Sequence, residues 1–462
     1  MRPSSVFHVC CVVAVLASWA TAAESGGPKW HVVSVSSLLP STVCTAAQGS
    51  PNSSAASVMH QHGPCSPPLA RGGVPSHAEI LDRDQDRVNS IRRKVTGAST
   101  TINPARASKS VSLPANSGIS LGTGNYVVAV GVGTPARHYT VVFDTGSDLS
   151  WVQCKPCWDC YDQRDPLFDP AQSSSYSTVP CGSPECQALD THGCSSDGKC
   201  QYVVKYEDQS ATIGNLSRDT LTLAPSDELP GFLFGCGYVN MDQVGQVDGL
   251  IGLGRRNVSM SSQAAATYGA AFSYCLPSSS SAMGYLSLGG AAPSNARFTE
   301  MVTHDDAPSS YYLNLVGINV AGEDTRIPRD VFLTAGTIID SGTVITRLPW
   351  RAYETLRWSF NRSMGSYKRA PALSILDTCY DLTGHKTVRI PSVTLVFSDG
   401  AEVNLDISGV LYVSKVSQAC LAFASNGDDD SVSILGNTQQ RTFAVVYDVA
   451  NQKIGFGAQG CS

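Results

Sequence analysis

The sequence predicts an all-β protein of two similar β lobes with a cleft between them, preceded by a signal peptide and a propeptide. Three observations predict this. An acidic turn occurs twice: Asp144-Thr145-Gly146-Ser147 follows the apolar run from Tyr139 to Phe143, and Asp340-Ser341-Gly342-Thr343 follows Thr337 to Ile339. Leu250-Ile251-Gly252 in the first half is answered by Ile434-Leu435-Gly436 in the second, and such internal repetition means two like units. From Asn125 onward, short apolar runs alternate with turns and helix signals are few, the pattern of β structure.

The elements follow in order. Arg2, the short apolar core from Val6 to Trp19 and the small residues Ala20-Thr21-Ala22 read as a signal peptide over 1–23. That core is too short to span a bilayer well. No later run is long and apolar enough to cross one, and the chain ends Gly460-Cys461-Ser462 without the apolar tail of a lipid anchor. Residues 24–112, rich in Ser, Pro, Ala and charge, read as a propeptide. Within it, Ser76-His77-Ala78-Glu79 is a capping box, and Ile80, Leu81, Val88, Ile91 and Val95 recur at near-helical spacing. The other face of this helix carries Arg83, Arg87, Arg92, Arg93 and Lys94. One reading of this face is a solvated charged surface; the other is that its cations sit against acidic groups of the domain that follows, and the propeptide is expected to act as its inhibitor. Small and apolar residues from Ser110 to Gly122 mark the maturation zone.

The first lobe is assigned to 113–298 and the second to 299–462. Strands are predicted over Tyr126 to Val132 and His138 to Phe143. A hairpin joins Gln201–Tyr206 to Leu216–Leu223 through Glu207-Asp208-Gln209-Ser210. Trp350 to Met364 is the clearest helix of the second lobe. The net charge of -6 and the lack of a long basic stripe in the second half leave no nucleic-acid signature.

Sixteen cysteines are present. Cys10 and Cys11 fall in the signal, and Cys44 and Cys65 in the next segment. The even set from Cys154 onward (Cys154, Cys157, Cys160, Cys181, Cys186, Cys194, Cys200, Cys236, Cys275, Cys379, Cys420 and Cys461) fits disulfides formed in an oxidising compartment. The Cys154/Cys157/Cys160 run would suggest zinc in a cytosolic chain; behind a signal peptide it reads as disulfides, and no metal or other cofactor is expected. Sequence alone leaves the connectivity open. Sequons at Asn52, Asn215, Asn257 and Asn361 agree with the secretory route. Asp428-Asp429-Asp430 lacks the Gly and closing Glu of a calcium loop and reads as a solvated turn.

The repeated turn carries the chemistry. Two carboxylates sharing one proton can activate a water to attack an amide carbonyl. Gly146 and Gly342 let two backbones approach closely because they lack Cβ. Thr145 and Ser341 are placed to lock the turns together, and Ser147 and Thr343 to donate to an outer carboxylate oxygen. The acids then titrate as a pair, and hydrolysis passes through a tetrahedral diol with no covalent enzyme intermediate.

These residues resemble a family. Asp144 through Cys154 (DTGSDLSWVQC), Asp248 through Gly254 (DGLIGLG), Asp340-Ser341-Gly342-Thr343 and Ile434-Leu435-Gly436-Asn437 are together similar to the pepsin-like aspartic proteases, within them the plant nepenthesin-like branch. The resemblance covers about residues 124–462, and His62-Gly63-Pro64-Cys65-Ser66-Pro67 resembles propeptides of that branch. It implies a bilobal all-β pepsin-like endopeptidase, active in acid, sensitive to pepstatin and needing no metal. It also implies that Asp144 and Asp340 are the catalytic pair, Tyr206 the flap tyrosine and Trp151 the ring accepting its hydroxyl. The pairings it implies are Cys154–Cys157, Cys160–Cys236, Cys181–Cys200, Cys186–Cys194, Cys275–Cys461 and Cys379–Cys420, with a cysteine-rich insertion over about Cys154 to Cys200. The chain departs from the family at the flap: relatives carry Tyr-Gly-Asp-Gly-Ser, whereas Tyr206-Glu207-Asp208-Gln209-Ser210 has lost both glycines. An altered subsite preference or slower turnover is expected, the alternative being a flap too rigid or too distorted to close.

The resulting expectation is a secreted, monomeric zymogen acting on protein or peptide substrates. The apoplast is favoured, with vacuole or plastid as other destinations, and neither nucleic acid nor membrane is a partner. The competing reading is a catalytically weak, protease-like binding or inhibitor protein, which the two intact acid turns oppose.

Overall fold

The computed structural model describes residues 29–39, 76–94, 109–117, 123–205, 211–241, 246–279, 282–304 and 307–461. The signal peptide, Cys44, Cys65, Asn52, the segment 62–67, part of the maturation zone and the flap residues Tyr206 to Ser210 lie outside them.

The first strands in chain order are β1 (Trp30–Ser34), β2 (Val111–Ser117), β3 (Tyr126–Val132), β4 (Arg137–Asp144) and β5 (Trp151–Gln153). The two halves meet on an antiparallel platform. Its strand order is β3, β2, Gly284–Leu288, Ala271–Cys275, Ala444–Asp448, Lys453–Gly457 and Ala296–Val302. Alternate residues of these strands bury Leu113, Ala115, Val128, Val130, Phe272, Tyr274, Leu286 and Val445 in one large core. Strand Ala296–Val302 crosses the division at 298, and β2 crosses that at 112, because each completes this platform.

The repeated sequences become a repeated topology. β4 runs parallel to Gly249–Gly252, with Asp144 opposite Gly252, and Thr337–Ile339 runs parallel to Ser433–Leu435. In each half a further short strand pairs antiparallel with the same partner, β5 through Trp151 opposite Leu250 and Thr346–Leu348 through Arg347 opposite Ile434. The acid turns are therefore the loops that enter two equivalent three-stranded crossings. Only glycine fits at the crossings: a Cβ on Gly252 would lie against the Asp148 carbonyl, and one on Gly436 2.8 Å from the Ile345 carbonyl carbon.

The predicted propeptide helix forms as α1 (His77–Lys94). The Ser76 N–H donates to Glu79 Oε2 at 2.6 Å and the Glu79 N–H to Ser76 Oγ at 3.3 Å, the reciprocal capping box. The helix near Trp350 spans Trp350–Ser363 and buries Ala352, Tyr353, Leu356 and Phe360, the i, i+1, i+4, i+8 face of its sequence. The hairpin forms between Cys200–Lys205 and Ala211–Ala224, with Lys205 opposite Ala211. Among the described residues no helix is long and apolar enough to cross a membrane.

All twelve cysteines from Cys154 onward are bonded, and four of the six implied pairings are corrected. Cys275–Cys461 and Cys379–Cys420 form as expected. The others are Cys154–Cys236, Cys157–Cys160, Cys181–Cys194 and Cys186–Cys200. Register explains the exchanges. β5 pairs parallel with the long strand Asp227–Met241, with Val152 opposite Cys236, so Cys154 reaches Cys236 at a Cα separation of 5.4 Å and Cys157 is left to Cys160. Cys186, on the short helix Pro184–Gln187, is fully buried, as is Cys200, in a small core with Leu189 and Tyr202 where Cys181 lies less deep. Cys181 then takes Cys194. Of the described sequons, Asn257 is exposed, while Asn215 and Asn361 are half-buried.

Candidate active site

Each acid turn ends a buried strand, and burial fixes what the turn can present. Asp144 and Asp340 are both fully buried. The backbone supplies one donor to each: the Gly146 N–H donates to Asp144 Oδ1 at 2.9 Å, and the Gly342 N–H to Asp340 Oδ1 at 3.0 Å. The hydroxyls supply another: Ser147 donates to Asp144 Oδ2 at 2.6 Å, and Thr343 to Asp340 Oδ2 at 2.5 Å. The turns are cross-locked, with the Ser341 N–H donating to Thr145 Oγ1 at 2.9 Å and the Thr145 N–H to Ser341 Oγ at 3.1 Å. Every role drawn from these residue types has its hydrogen bond. The glycines permit the approach, since a Cβ on Gly146 would lie 2.7 Å from Asp340 Oδ1, and one on Gly342 would collide with Asp144.

Between the acids lies a side chain from α1. Arg87 Nη2 donates to Asp144 Oδ1 at 2.6 Å and to Asp340 Oδ1 and Oδ2 at 3.2 and 3.1 Å, and Nε reaches Asp340 Oδ2 at 3.3 Å. One nitrogen thus spans both carboxylates. Their environments differ. Burial pushes Asp144 up, but the Arg87 guanidinium, the Ser147 hydroxyl and the Gly146 N–H outweigh it and hold this carboxyl below its ordinary range. Asp340 is pushed up by burial against the pull of Arg87, with the Asp144 charge adding to the rise. Two buried acids whose surroundings push their proton affinities apart can divide the roles of acid and base. Arg87 itself loses affinity for its proton by burial and regains more from the two carboxylates, so it stays charged.

The rest of α1 packs along the second half. Leu81 joins Val344, Ile345, Leu376 and Tyr412 in one apolar cluster, and Val88 and Ile91 join Tyr312, Ile338 and Ile434 in another. His77 Nδ1 is 2.7 Å from the Tyr412 hydroxyl, Asp82 accepts from Ser374, and Arg92 donates to the Asn426 carbonyl at 3.3 Å. β1 adds a second attachment by pairing with Thr387–Pro391.

Sequence reasoning placed five cations on α1 without singling out Arg87, and it missed Asp84. That carboxylate is buried and accepts from the N–H groups of Val344 at 2.5 Å and Ile345 at 3.0 Å, and from Arg347 Nη2 at 3.1 Å. The signal was available: Leu81, Asp84, Val88 and Ile91 share one face at i, i+3, i+7 and i+10, so an acid sits inside the apolar stripe. Two second-half amides were also missed. Asn437 Nδ2 donates to the Ser341 carbonyl at 3.1 Å, and Gln440 Nε2 to the Asp340 carbonyl at 3.2 Å, bracing the second acid turn from behind. Trp151 is buried with Tyr202 and Leu250.

Comparison with known proteins shows the family. The family model described as xylanase inhibitor N-terminal matches residues 126–290, and that described as xylanase inhibitor C-terminal matches 310–458. An aspartyl protease family protein of Arabidopsis thaliana is 48% identical over 94% of this chain and 93% of its own length. Aspartic proteinase nepenthesin-2 of Nepenthes gracilis is 37% identical over 74% of this chain and 78% of its own. The chain belongs to the pepsin-like aspartic protease family. It falls in the nepenthesin-like branch and is an aspartic-type endopeptidase. Among solved structures, basic 7S globulin from soybean matches with a TM-score of 0.63 at 21% identity, covering 76% of the protease and 95% of the globulin, which shows the shared fold.

Proposed function

We propose that this protease is a secreted zymogen that cleaves proteins at acidic pH through a water activated between Asp144 and Asp340, and that α1 holds it inactive until the propeptide is removed. The observation that carries the reading is that both carboxylates lie within 3.2 Å of the single nitrogen Arg87 Nη2. With the guanidinium gone, that space suits a water hydrogen-bonded to both acids. The ionised carboxyl takes the water's proton as hydroxide attacks the scissile carbonyl, and the protonated one donates to the carbonyl oxygen. The donors Ser147, Thr343 and the two glycine N–H groups keep each carboxyl in place through the proton exchange.

Tyr206 at the hairpin tip would close over the substrate, with Trp151 behind it. An extended peptide would lie in the groove that α1 fills, held by main-chain hydrogen bonds and side-chain pockets. Secretion is supported by the apolar N-terminus, the sequons and the disulfides. The mature enzyme is taken as a monomer in the apoplast, with its own propeptide as its inhibitor and no cofactor.

The test is digestion of a denatured protein at pH 4 after the segment ahead of Val111 has been cut. The expected result is cleavage that pepstatin blocks and that Asp144→Asn abolishes. Intact substrate after confirmed removal of the propeptide would instead favour a protease-like binding protein.

A further inference from the structure

Arg347 is fully buried, beside the catalytic cleft. Its guanidinium has three described partners: Nη1 donates to the Ile345 carbonyl at 2.7 Å, Nη2 to Asp84 at 3.1 Å, and Nε to Gln85 Oε1 at 3.2 Å. Two of these belong to α1. The Val344 and Ile345 N–H groups, four and five residues beyond Asp340, also point into the pocket and are satisfied by Asp84. When α1 leaves, the guanidinium keeps one carbonyl, and two backbone donors lose their acceptor. Such groups are costly to leave unmet. Asp84 lies three residues, or about 5 Å along the helix, before Arg87, so the pocket is within one or two extended residues of the scissile position.

We propose that Arg347 and the Val344 and Ile345 N–H groups form a carboxylate-recognising subsite, filled by Asp84 in the full-length chain and by a substrate Asp or Glu side chain in the mature enzyme. Arg347 is thereby a specificity-determining residue. The inference rests on the zymogen reading above, and deepens it: α1 occupies the pocket with the functional group that the pocket selects in a substrate. A carboxylate on an arginine with two supporting N–H donors gains charge-assisted hydrogen bonds that a carboxamide does not.

The experiment uses the full-length chain cut ahead of Val111, by itself in acid or by an added protease, and assayed at pH 5 so that substrate carboxyls are ionised. Peptides with one cleavable bond carry Asp, Glu, Asn, Gln or Ala at each flanking position in turn, with free-acid or amidated chain ends. At one position within two residues of the cleaved bond, Asp or Glu is expected to raise kcat/KM about tenfold or more over Asn or Gln. Arg347→Met is expected to erase that preference while the Ala peptide is still cleaved. The Asp-against-Asn comparison on the unmutated enzyme stands even where the variant does not fold. Pepstatin-sensitive cleavage that is equal for acid and amide at every position overturns the subsite and leaves the protease reading intact. A preference confined to free chain ends overturns the side-chain assignment. Failure to cleave any peptide overturns the protease reading, and the subsite with it.

Discussion

The two acid turns are the same device built twice, and they part company within seven residues. Asp144 matches Asp340, Thr145 matches Ser341, Gly146 matches Gly342 and Ser147 matches Thr343, each pair with equivalent hydrogen bonds. The match extends to Ser150 and Thr346, whose hydroxyls accept from the N–H groups of Gly252 and Gly436 at 3.1 and 3.0 Å. At the next position the first half has Trp151, packed in an apolar cluster, and the second has Arg347, in a polar pocket. Both sit opposite equivalent residues, Leu250 and Ile434. Backbone hydrogen bonding constrains what holds the acids, so that part is duplicated. The side chain that follows takes no part in that cross-lock, Arg347 turning instead to Asp84 and Gln85 of α1, and there the halves are free to differ.

The sharpest way to break the comparison is to neutralise one acid at a time. Asp340→Asn is expected to lower kcat by roughly a thousandfold or more, the same as Asp144→Asn, since each loses one partner of the proton exchange. Hydrolysis of a fluorogenic peptide by the two variants measures this, and substantial activity in either one would show that the halves are not equivalent in function.

Next in size are the glycines. Gly342→Ala places a Cβ into Asp144, and Gly146→Ala places one 2.7 Å from Asp340 Oδ1. Displacing a reacting carboxyl by about 1 Å costs on the order of a hundredfold in rate. Both variants are expected to fold with near-normal circular dichroism and to lose turnover, Gly342→Ala the more severely. Full activity in Gly342→Ala would show that the turns separate further once α1 is gone.

Arg87 ties the halves together, and pH tests the tie. The guanidinium lowers the proton affinity of both acids. The docking of α1 that depends on this charge is therefore present above the acids' undocked pKa values and is lost as pH falls through the docked ones, below the ordinary carboxylate range for Asp144. We predict that conversion of the full-length chain accelerates as pH is lowered from 6 to 3, and that Arg87→Gln converts at a rate that changes much less with pH. Equal pH profiles for the two, followed by gel electrophoresis over time, would remove Arg87 from the control of latency.

The smallest effect lies behind the first acid. Asp248 stands where the second half has Val432, two residues before Leu250 and Ile434 respectively. Burial, with Asp165 adding to it, pushes the Asp248 carboxyl up to about 8, against the N–H groups of Thr140 and Asp165. The folded state holds this proton more tightly than the unfolded chain, so its stabilisation is complete below the unfolded value near 4 and declines as pH rises to about 8. Asp248→Asn should flatten the fall in Tm across that window. An unchanged slope in thermal scans from pH 4 to 8 would count against it.

Much of this was legible in the residues. The acids, their hydroxyl and glycine neighbours, and the crossing glycines follow from local chemistry repeated at a distance, and α1 follows from its capping box and periodicity. The disulfides of the insertion were not legible, because proximity in sequence says little about register: Cys154 is three residues from Cys157 yet shares a sheet layer with Cys236. Nor could the sequence choose Arg87 among five cations. That depends on how α1 is rotated in the groove, which Leu81, Val88 and Ile91 decide by their packing against the second lobe.

β2 lies between two neighbours, β3 and Gly284–Leu288, whereas β1 and α1 pack against the second half at separate places, α1 also reaching Asp144 through Arg87. A cut between 95 and 108 would therefore create a new chain end without loosening the platform, and the severed fragment would keep two independent footholds. Its local concentration stays high while either foothold persists. Scission and release become separate events, and we predict that a nicked chain kept concentrated at neutral pH elutes with its fragment on gel filtration and gains activity on dilution. Immediate full activity at the moment of cutting would show that the footholds do not hold.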